Sequence, residues 1–185
     1  MALRQILTEP NKILREKSLS VETVDEDLQK LMNDMLESMY AAPGIGLAAI
    51  QVGVPKRVIV LDIGWRNKSE STDDEKQVAK KNPIYFVNPE IITKSTNNST
   101  YEEGCLSVPG QFAEIDRPDK CHMKYLDYHG QLKEIKAEGM LATCIQHEID
   151  HLEGILFIDY LSKLKKSMII KKLSKQKKVI ERIVV

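Results

Sequence analysis

Apolar residues recur with the spacing of an α-helix in three stretches of the chain. The clearest is 25–42, where leucines and methionines occupy positions i, i+3, i+4 and i+7. The second, 140–153, contains no proline and lies between Gly139 and Gly154, of which the latter suits a C-terminal cap. The third runs over 162–183 without proline or glycine. We therefore expect three helices, with the methionines of the first filling a core.

Shorter apolar stretches, rich in β-branched residues, predict strands. The segments in question are 5–8, 57–63, 85–87, 90–94, 121–127 and 131–137. The last two flank a short polar turn at 128–130, so we expect them to form an antiparallel hairpin. The charge-rich segment 64–81 is predicted to be a loop.

The length and charge of the chain bound its organisation. Its 185 residues suffice for one ordinary domain, so we expect a single domain over residues 1–185. The formal net charge of zero gives no chain-wide signal for nucleic-acid binding. Residues 161–185 nevertheless hold eight lysines and one arginine against one glutamate, which makes the predicted last helix strongly basic.

The composition also predicts a compartment. No stretch approaches the roughly 20 apolar residues of a membrane span, and the first residues resemble neither a signal peptide nor a transit peptide. The three cysteines are an odd number and too few for a disulfide framework. We expect a cytoplasmic protein with reduced thiols and no membrane partner.

The segment 147–151 reads His-Glu-Ile-Asp-His, within the second predicted helix. Two histidines four residues apart lie on one helix face, so His147 and His151 can bind one metal ion. Glu148 is then placed to act as a general acid/base, as in metal-assisted hydrolysis. The alternative is a polar helix face in solvent, but the many apolar residues around the motif favour an internal cleft.

Catalytic sites of this kind typically use three protein ligands. Cys144 is on the same helix face, but it is about 10 Å from His151 along the axis. Cys121 lies in a predicted strand and fits a small buried hydrophobe better. Cys105 follows a glycine in an acidic, irregular stretch and is favoured by elimination, an argument that leaves the third ligand open.

The segment 44–51 combines two glycines, two alanines and Gln51. Such small residues permit a ligand or a strand to approach the backbone closely, although a tightly packed turn has the same composition. The amide of Gln51 can donate to an oxyanion or satisfy backbone groups. The segment lacks the third glycine of a dinucleotide-binding fingerprint.

Three blocks of this sequence resemble motifs of the bacterial peptide deformylases. Residues 44–51 match Gly-x-Gly-Leu-Ala-Ala-x-Gln, residues 103–107 match Glu-Gly-Cys-Leu-Ser, and residues 146–151 contain His-Glu-x-Asp-His, in the order of that family. The implied fold is α+β, with mostly antiparallel β-sheets packed around a central metal-binding helix, plus a C-terminal helix. The resemblance extends from near the N-terminus to about residue 164.

The resemblance implies a metal-dependent hydrolase that removes the formyl group from the N-terminal formyl-methionine of nascent polypeptides and releases formate. One divalent ion, characteristically Fe(2+) and alternatively zinc, nickel or cobalt, is implied at Cys105, His147 and His151. Ligand softness does not itself select iron over zinc. Glu148 is implied to take a proton from the attacking water and to pass it to the leaving amine.

Further roles follow from the same resemblance. The Gln51 side chain and the Leu106 backbone N–H are implied to stabilise the developing oxyanion, while Gly46 lets the backbone pair with the substrate. The implied lining of the methionine pocket is Ile45, Met140, Thr143 and Cys144. We also expect an ion pair between Glu103 and Arg117 that holds the Cys105 loop.

Two other functions remain in competition at this point. The first is a zinc endopeptidase, although no histidine follows His151 as a downstream ligand. The second is a non-catalytic module that binds metal or RNA. The basic helix over 161–185 is interpreted either as a solvated helix packed on the domain or as a ribosome-docking helix that binds RNA phosphates.

Overall fold

A computed structural model describes residues 2–64 and 81–183 of the chain. Its α-helices are α1 Glu26–Ala41, α2 Gly139–Leu152 and α3 Lys163–Ile183. Its strands are β1 Gly46–Ala48, β2 Val58–Leu61, β3 Ile84–Lys94, β4 Asn98–Cys105, β5 Val108–Pro118, β6 Lys120–Leu126 and β7 Leu132–Glu138. Most of the predicted loop 64–81 lies outside the described residues.

The strands form two antiparallel sheets. The larger has the order β1-β2-β3-β6-β7, and the smaller consists of β4 and β5. The predicted hairpin is present as β6 and β7, which pair up to Leu126 and Leu132 beside the turn. This architecture confirms the expected α+β class.

Helix α2 is the buried centre of the molecule. Ala142, Ile145 and Leu152 pack with residues of the large sheet in one apolar cluster. Gly154 ends the helix with φ at 73°, and a Cβ there would lie 2.5 Å from the backbone oxygen of Arg15. Glycine alone tolerates both the backbone angle and the close contact, which confirms the predicted cap.

Helices α1 and α3 cover other parts of the core. Asp25 caps α1 by accepting a hydrogen bond from the N–H of Leu28. The methionines of α1 are confirmed as core residues, because Met32, Met35 and Met39 are fully buried against β1 and β2. In α3, the buried side chains Ile169 and Leu173 pack against β5 and the 3₁₀ helix Phe157–Tyr160.

Two strand predictions were wrong or incomplete. Residues 5–8 form no strand; the Leu7 N–H donates to the Gln51 carbonyl, and the Glu9 N–H donates to the Ser107 carbonyl. Such isolated bonds do not build a ladder. The two pieces around Pro89 belong to one strand, β3, whose register shifts there. Among the described residues, no helix is both long and apolar enough to cross a membrane.

Candidate metal centre and its cleft

Cys105, His147 and His151 converge at one point. Helix α2 places the two imidazole rings one turn apart, with 5.1 Å between their centroids. Cys105 ends β4, and its Sγ lies 3.2 Å from Nε2 of His151. One ligand atom from each of the three residues lies within 4.8 Å of the others, and the described residues contain no second group of this kind.

The other two cysteines lie outside this group. Cys121 is buried in the core on β6, as its sequence context suggested. Cys144 lies at the wall of the cleft beside the metal centre. Burial and the nearby charge of Glu148 raise the pKa of the Cys144 thiol to about 12, so this thiol remains protonated at neutral pH.

Glu103 fixes the orientation of the His147 ring. Its Oε2 lies 2.8 Å from Nδ1 of His147, which leaves Nε2 free to face the centre. The expected pair with Arg117 is present: both carboxylate oxygens of Glu103 accept from the guanidinium. Burial raises the pKa of Glu103, but hydrogen bonds from His147 and Arg117 outweigh it, so the carboxyl stays ionised.

Glu148 points into the same site from α2. It is buried, and its Oε2 has no hydrogen-bond partner in the structure. Burial is the main reason why the pKa of this carboxyl rises to about 7. A group with a pKa near the working pH can both accept and return a proton. Gly46 makes room for it, because a Cβ on that residue would overlap Oε1 of Glu148.

Gln51 is held rigidly beside Cys105. Its Oε1 accepts a hydrogen bond of 2.8 Å from the Ala48 N–H. Its Nε2 lies 3.0 Å from Oγ of Ser107 and 3.5 Å from Sγ of Cys105. Ser107 had no expected role, although it lies within the matched residues 103–107. Leu106, between the two, is half-buried and lines the cleft.

A cleft of about 580 Å³ opens onto this centre. The residues expected to line the methionine pocket all border it: Ile45, Met140, Thr143 and Cys144. Tyr101, Pro109 and Phe112 of the β4–β5 hairpin also line it and were missed. They were missed because the sequence around Cys105 was interpreted as irregular, whereas β4 and β5 pair from Asn98 to Cys105.

The donor set fits one divalent transition-metal ion. A thiolate and two imidazoles are ligands that such ions prefer, and three protein ligands leave a position for water or substrate. The carboxylate of Glu103 on the outer ring nitrogen of His147 is a typical support for a metal-binding histidine. The polar atoms buried here without a protein partner include Oε2 of Glu148 and Nδ1 of His151.

Comparisons with known proteins agree with this chemistry. A profile of the polypeptide deformylase family matches residues 3–167. Peptide deformylase of Pelagibacter ubique is 64% identical over 96% of this chain and 96% of its own length. The crystal structure of peptide deformylase from Ehrlichia chaffeensis superposes with a TM-score of 0.86 at 42% identity, covering 96% of this chain and 98% of the other. The chain therefore belongs to the peptide deformylase family.

Proposed function

We propose that Cys105, His147 and His151 hold one Fe(2+) ion, at which this enzyme removes the formyl group from N-terminal formyl-methionine of nascent polypeptides. The activity follows from family membership. The residue assignment is supported by one observation above all: three ligand atoms within 4.8 Å of one another. A bound ion acts as a Lewis acid and lowers the pKa of water toward neutrality. Zinc, nickel and cobalt suit the same donors.

Glu148 is the general base and acid of the proposed reaction. Its buried carboxylate takes a proton from the attacking water and gives it to the amine that leaves as the new N-terminus. Its pKa of about 7 allows both steps at neutral pH. The free Oε2 atom supports this role, since it keeps a lone pair for the proton.

Gln51 and Leu106 stabilise the negative charge that develops on the formyl oxygen when the formyl carbon is attacked. The Gln51 amide is fixed by Ala48 and Ser107, so little reorganisation is needed when charge appears. The Leu106 backbone N–H is the second donor. Gly46 lies in β1, at the edge of the large sheet, where an extended substrate backbone can pair.

The methionine side chain enters the pocket bordered by Ile45, Met140, Thr143 and Cys144. Ile45 and Met140 provide apolar surface, and the protonated Cys144 thiol behaves as a soft apolar group. A peptide deformylase of Ehrlichia chaffeensis is known in complex with actinonin. We propose that actinonin occupies the same cleft here.

Formate release from formyl-Met-Ala-Ser tests the proposal. Protein prepared without oxygen and loaded with Fe(2+) or Ni(2+) is expected to release formate rapidly. Glu148→Ala is expected to lose about 10²–10⁴-fold in rate while it keeps its metal. Release that survives in this variant would contradict the role of Glu148. Cleavage of unformylated peptides by the wild type would instead favour an endopeptidase.

We further propose that the enzyme works in the cytoplasm and docks on the ribosome through the basic segment 161–185. Leu164 and Met168 are exposed on the first turns of α3, next to exposed lysines. Lys171 and Lys172 are both exposed, so their positive charges are available to RNA phosphates.

Charge reversal is a cleaner test of docking than truncation, because removing α3 would uncover the core around Ile169 and Leu173. The double variant Lys171→Glu, Lys172→Glu is expected to bind ribosomes at least tenfold more weakly at low salt. Lys133→Glu, Lys136→Glu, at two exposed positions of β7, is the matched control. Equal binding by both variants would contradict docking through α3.

A further inference from the structure

We propose that Tyr160 is a positioning residue for the metal ligand His147. A hydrogen-bond network of three charged side chains connects Tyr160 to His147. The network consists of Asp150, Arg117 and Glu103. The inference rests on the metal site proposed above, and it assigns a function to Tyr160, the outermost residue of this network.

In the outer part of the network, two hydrogen bonds share one oxygen atom. The Tyr160 hydroxyl donates to Oδ2 of Asp150 across 2.8 Å. The same oxygen accepts from Nη1 of Arg117 across 2.7 Å. Asp150 therefore has two donors that fix its carboxylate, and one of them is the neutral tyrosine.

The inner part of the network ends at the metal ligand His147. Nη2 of Arg117 donates to Oε2 of Glu103 across 3.0 Å, and its Nε donates to Oε1. Oε2 of Glu103 in turn lies 2.8 Å from Nδ1 of His147. Arg117 and Glu103 are both buried, so the guanidinium position is set by the carboxylates on its two sides. A shift of Asp150 is thus passed on to the carboxylate that orients His147.

The local structure explains why Tyr160 can take part. Residues Phe157–Tyr160 form one turn of 3₁₀ helix, which is the next helical element after α2. In such a helix, residues i and i+3 are eclipsed and point the same way. The Phe157 ring stacks on the His147 ring with 6.4 Å between centroids, and the Arg117 guanidinium lies 4.9 Å from the Tyr160 ring centroid. One short turn therefore contacts His147 directly through Phe157 and contacts Arg117 through Tyr160.

Tyr160 lies at the protein surface, from which its hydroxyl reaches Asp150. Its side chain is 51% exposed, so the loss of its hydroxyl removes little packing from the core. Tyr160→Phe keeps the ring beside Arg117 but leaves Asp150 with one donor fewer. The expected consequence is greater freedom for Asp150 and Arg117, and a less well oriented His147, without a general loss of stability.

The test measures Co(2+) affinity of the full-length chain by chelator competition, together with the cobalt–thiolate absorption band. Tyr160→Phe is expected to raise the dissociation constant roughly three- to tenfold, below the 10–100-fold typical of a direct partner of a ligand. The melting temperature of the metal-free chain is expected to stay unchanged. Tyr125→Phe, a half-buried ring that packs on Phe86, is the matched control.

A double-mutant cycle tests the route. Asp150→Asn is expected to weaken Co(2+) binding more than Tyr160→Phe, and the double variant is expected to match Asp150→Asn alone. Additive effects would overturn the route through Asp150, and unchanged affinity in Tyr160→Phe would overturn the positioning role. A wild-type chain that binds no Co(2+) with a thiolate band would overturn the metal site itself, and the inference with it.

Discussion

Nδ1 of His147 lies 2.8 Å from Oε2 of Glu103, and this contact decides which ring nitrogen faces the metal centre. Without it, the imidazole could rotate or change its tautomer. The contact joins a residue of β4 to a residue of α2, so the two elements that carry the proposed metal ligands also orient one another.

Glu103→Gln should weaken metal binding. An amide supports the ring nitrogen less strongly than a carboxylate, and we expect a 10–100-fold rise in the Co(2+) dissociation constant. Chelator competition measures it. Glu114→Gln, an exposed glutamate on β5, should leave the affinity unchanged. An equal affinity in both variants would contradict a role for Glu103 in metal binding.

Gln51→Ala should slow the reaction at saturating metal. Loss of one oxyanion donor typically lowers kcat by about 10²–10³-fold. Steady-state formate release gives kcat and KM separately, and the loss should appear mainly in kcat. Gln131→Ala, at an exposed position, serves as the control. If the loss appeared only in KM, Gln51 would bind substrate without stabilising the transition state.

Gly46→Ala should impair catalysis through a steric effect. The added methyl group would overlap Oε1 of Glu148 and lie 2.7 Å from Cδ2 of Leu61, so the Glu148 carboxyl group must move. A displacement of this size can cost about 10²-fold in rate. The control is Gly64→Ala, whose new Cβ would lie 3.7 Å from its nearest neighbour, Oδ1 of Asp62. Similar activity in the two variants would contradict the close approach of Gly46 to Glu148.

The free energy of unfolding should decrease at low pH, partly because the Asp159 carboxyl becomes protonated. Burial raises the pKa of this carboxyl, but the Leu156 N–H, Lys166 and Arg15 outweigh it, so the pKa lies below its usual value. The stabilisation is therefore fully present above the unfolded pKa of about 3.9, and it is lost as the pH falls through the lower folded value.

The melting temperatures of the wild type and Asp159→Asn test this pH dependence. The wild type should melt higher at pH 7, and the difference should shrink toward pH 3. Asp116→Asn, an exposed aspartate on β5, should show no such convergence. A difference that stays constant with pH would show that Asp159 acts by packing rather than by charge.

Much of the fold was predictable wherever a local pattern determines it. The apolar period of α1, the turn between β6 and β7, and the glycine after α2 each act within a few residues, and the structure confirms all three. The β4–β5 hairpin was not predictable in this way. Its strands alternate weakly and contain Gly104 and Pro109, so the pairing of the two strands and the contact of β5 with α2 decide its form.

The metal centre shows the same division. His147 and His151 are predictable from their spacing on one helix, because helix geometry alone brings them together. The position of Cys105 beside them depends on how the small sheet packs against α2, and sequence spacing does not encode that. The resemblance to a family supplied the expectation, and the structure brings the three side chains together.

All three cysteines of the chain are free thiols, so no covalent bond joins its distant segments. Cys105 belongs to the small sheet, whereas both histidines belong to α2, which packs on the large sheet. An ion held by all three would link the small sheet to α2, and because the unfolded chain does not keep these residues together, its binding free energy would stabilise the folded state. When a chelator removes the ion, the contact between the small sheet and α2 should open first. Amide hydrogen exchange in β4 should then accelerate before exchange in β2 or β3.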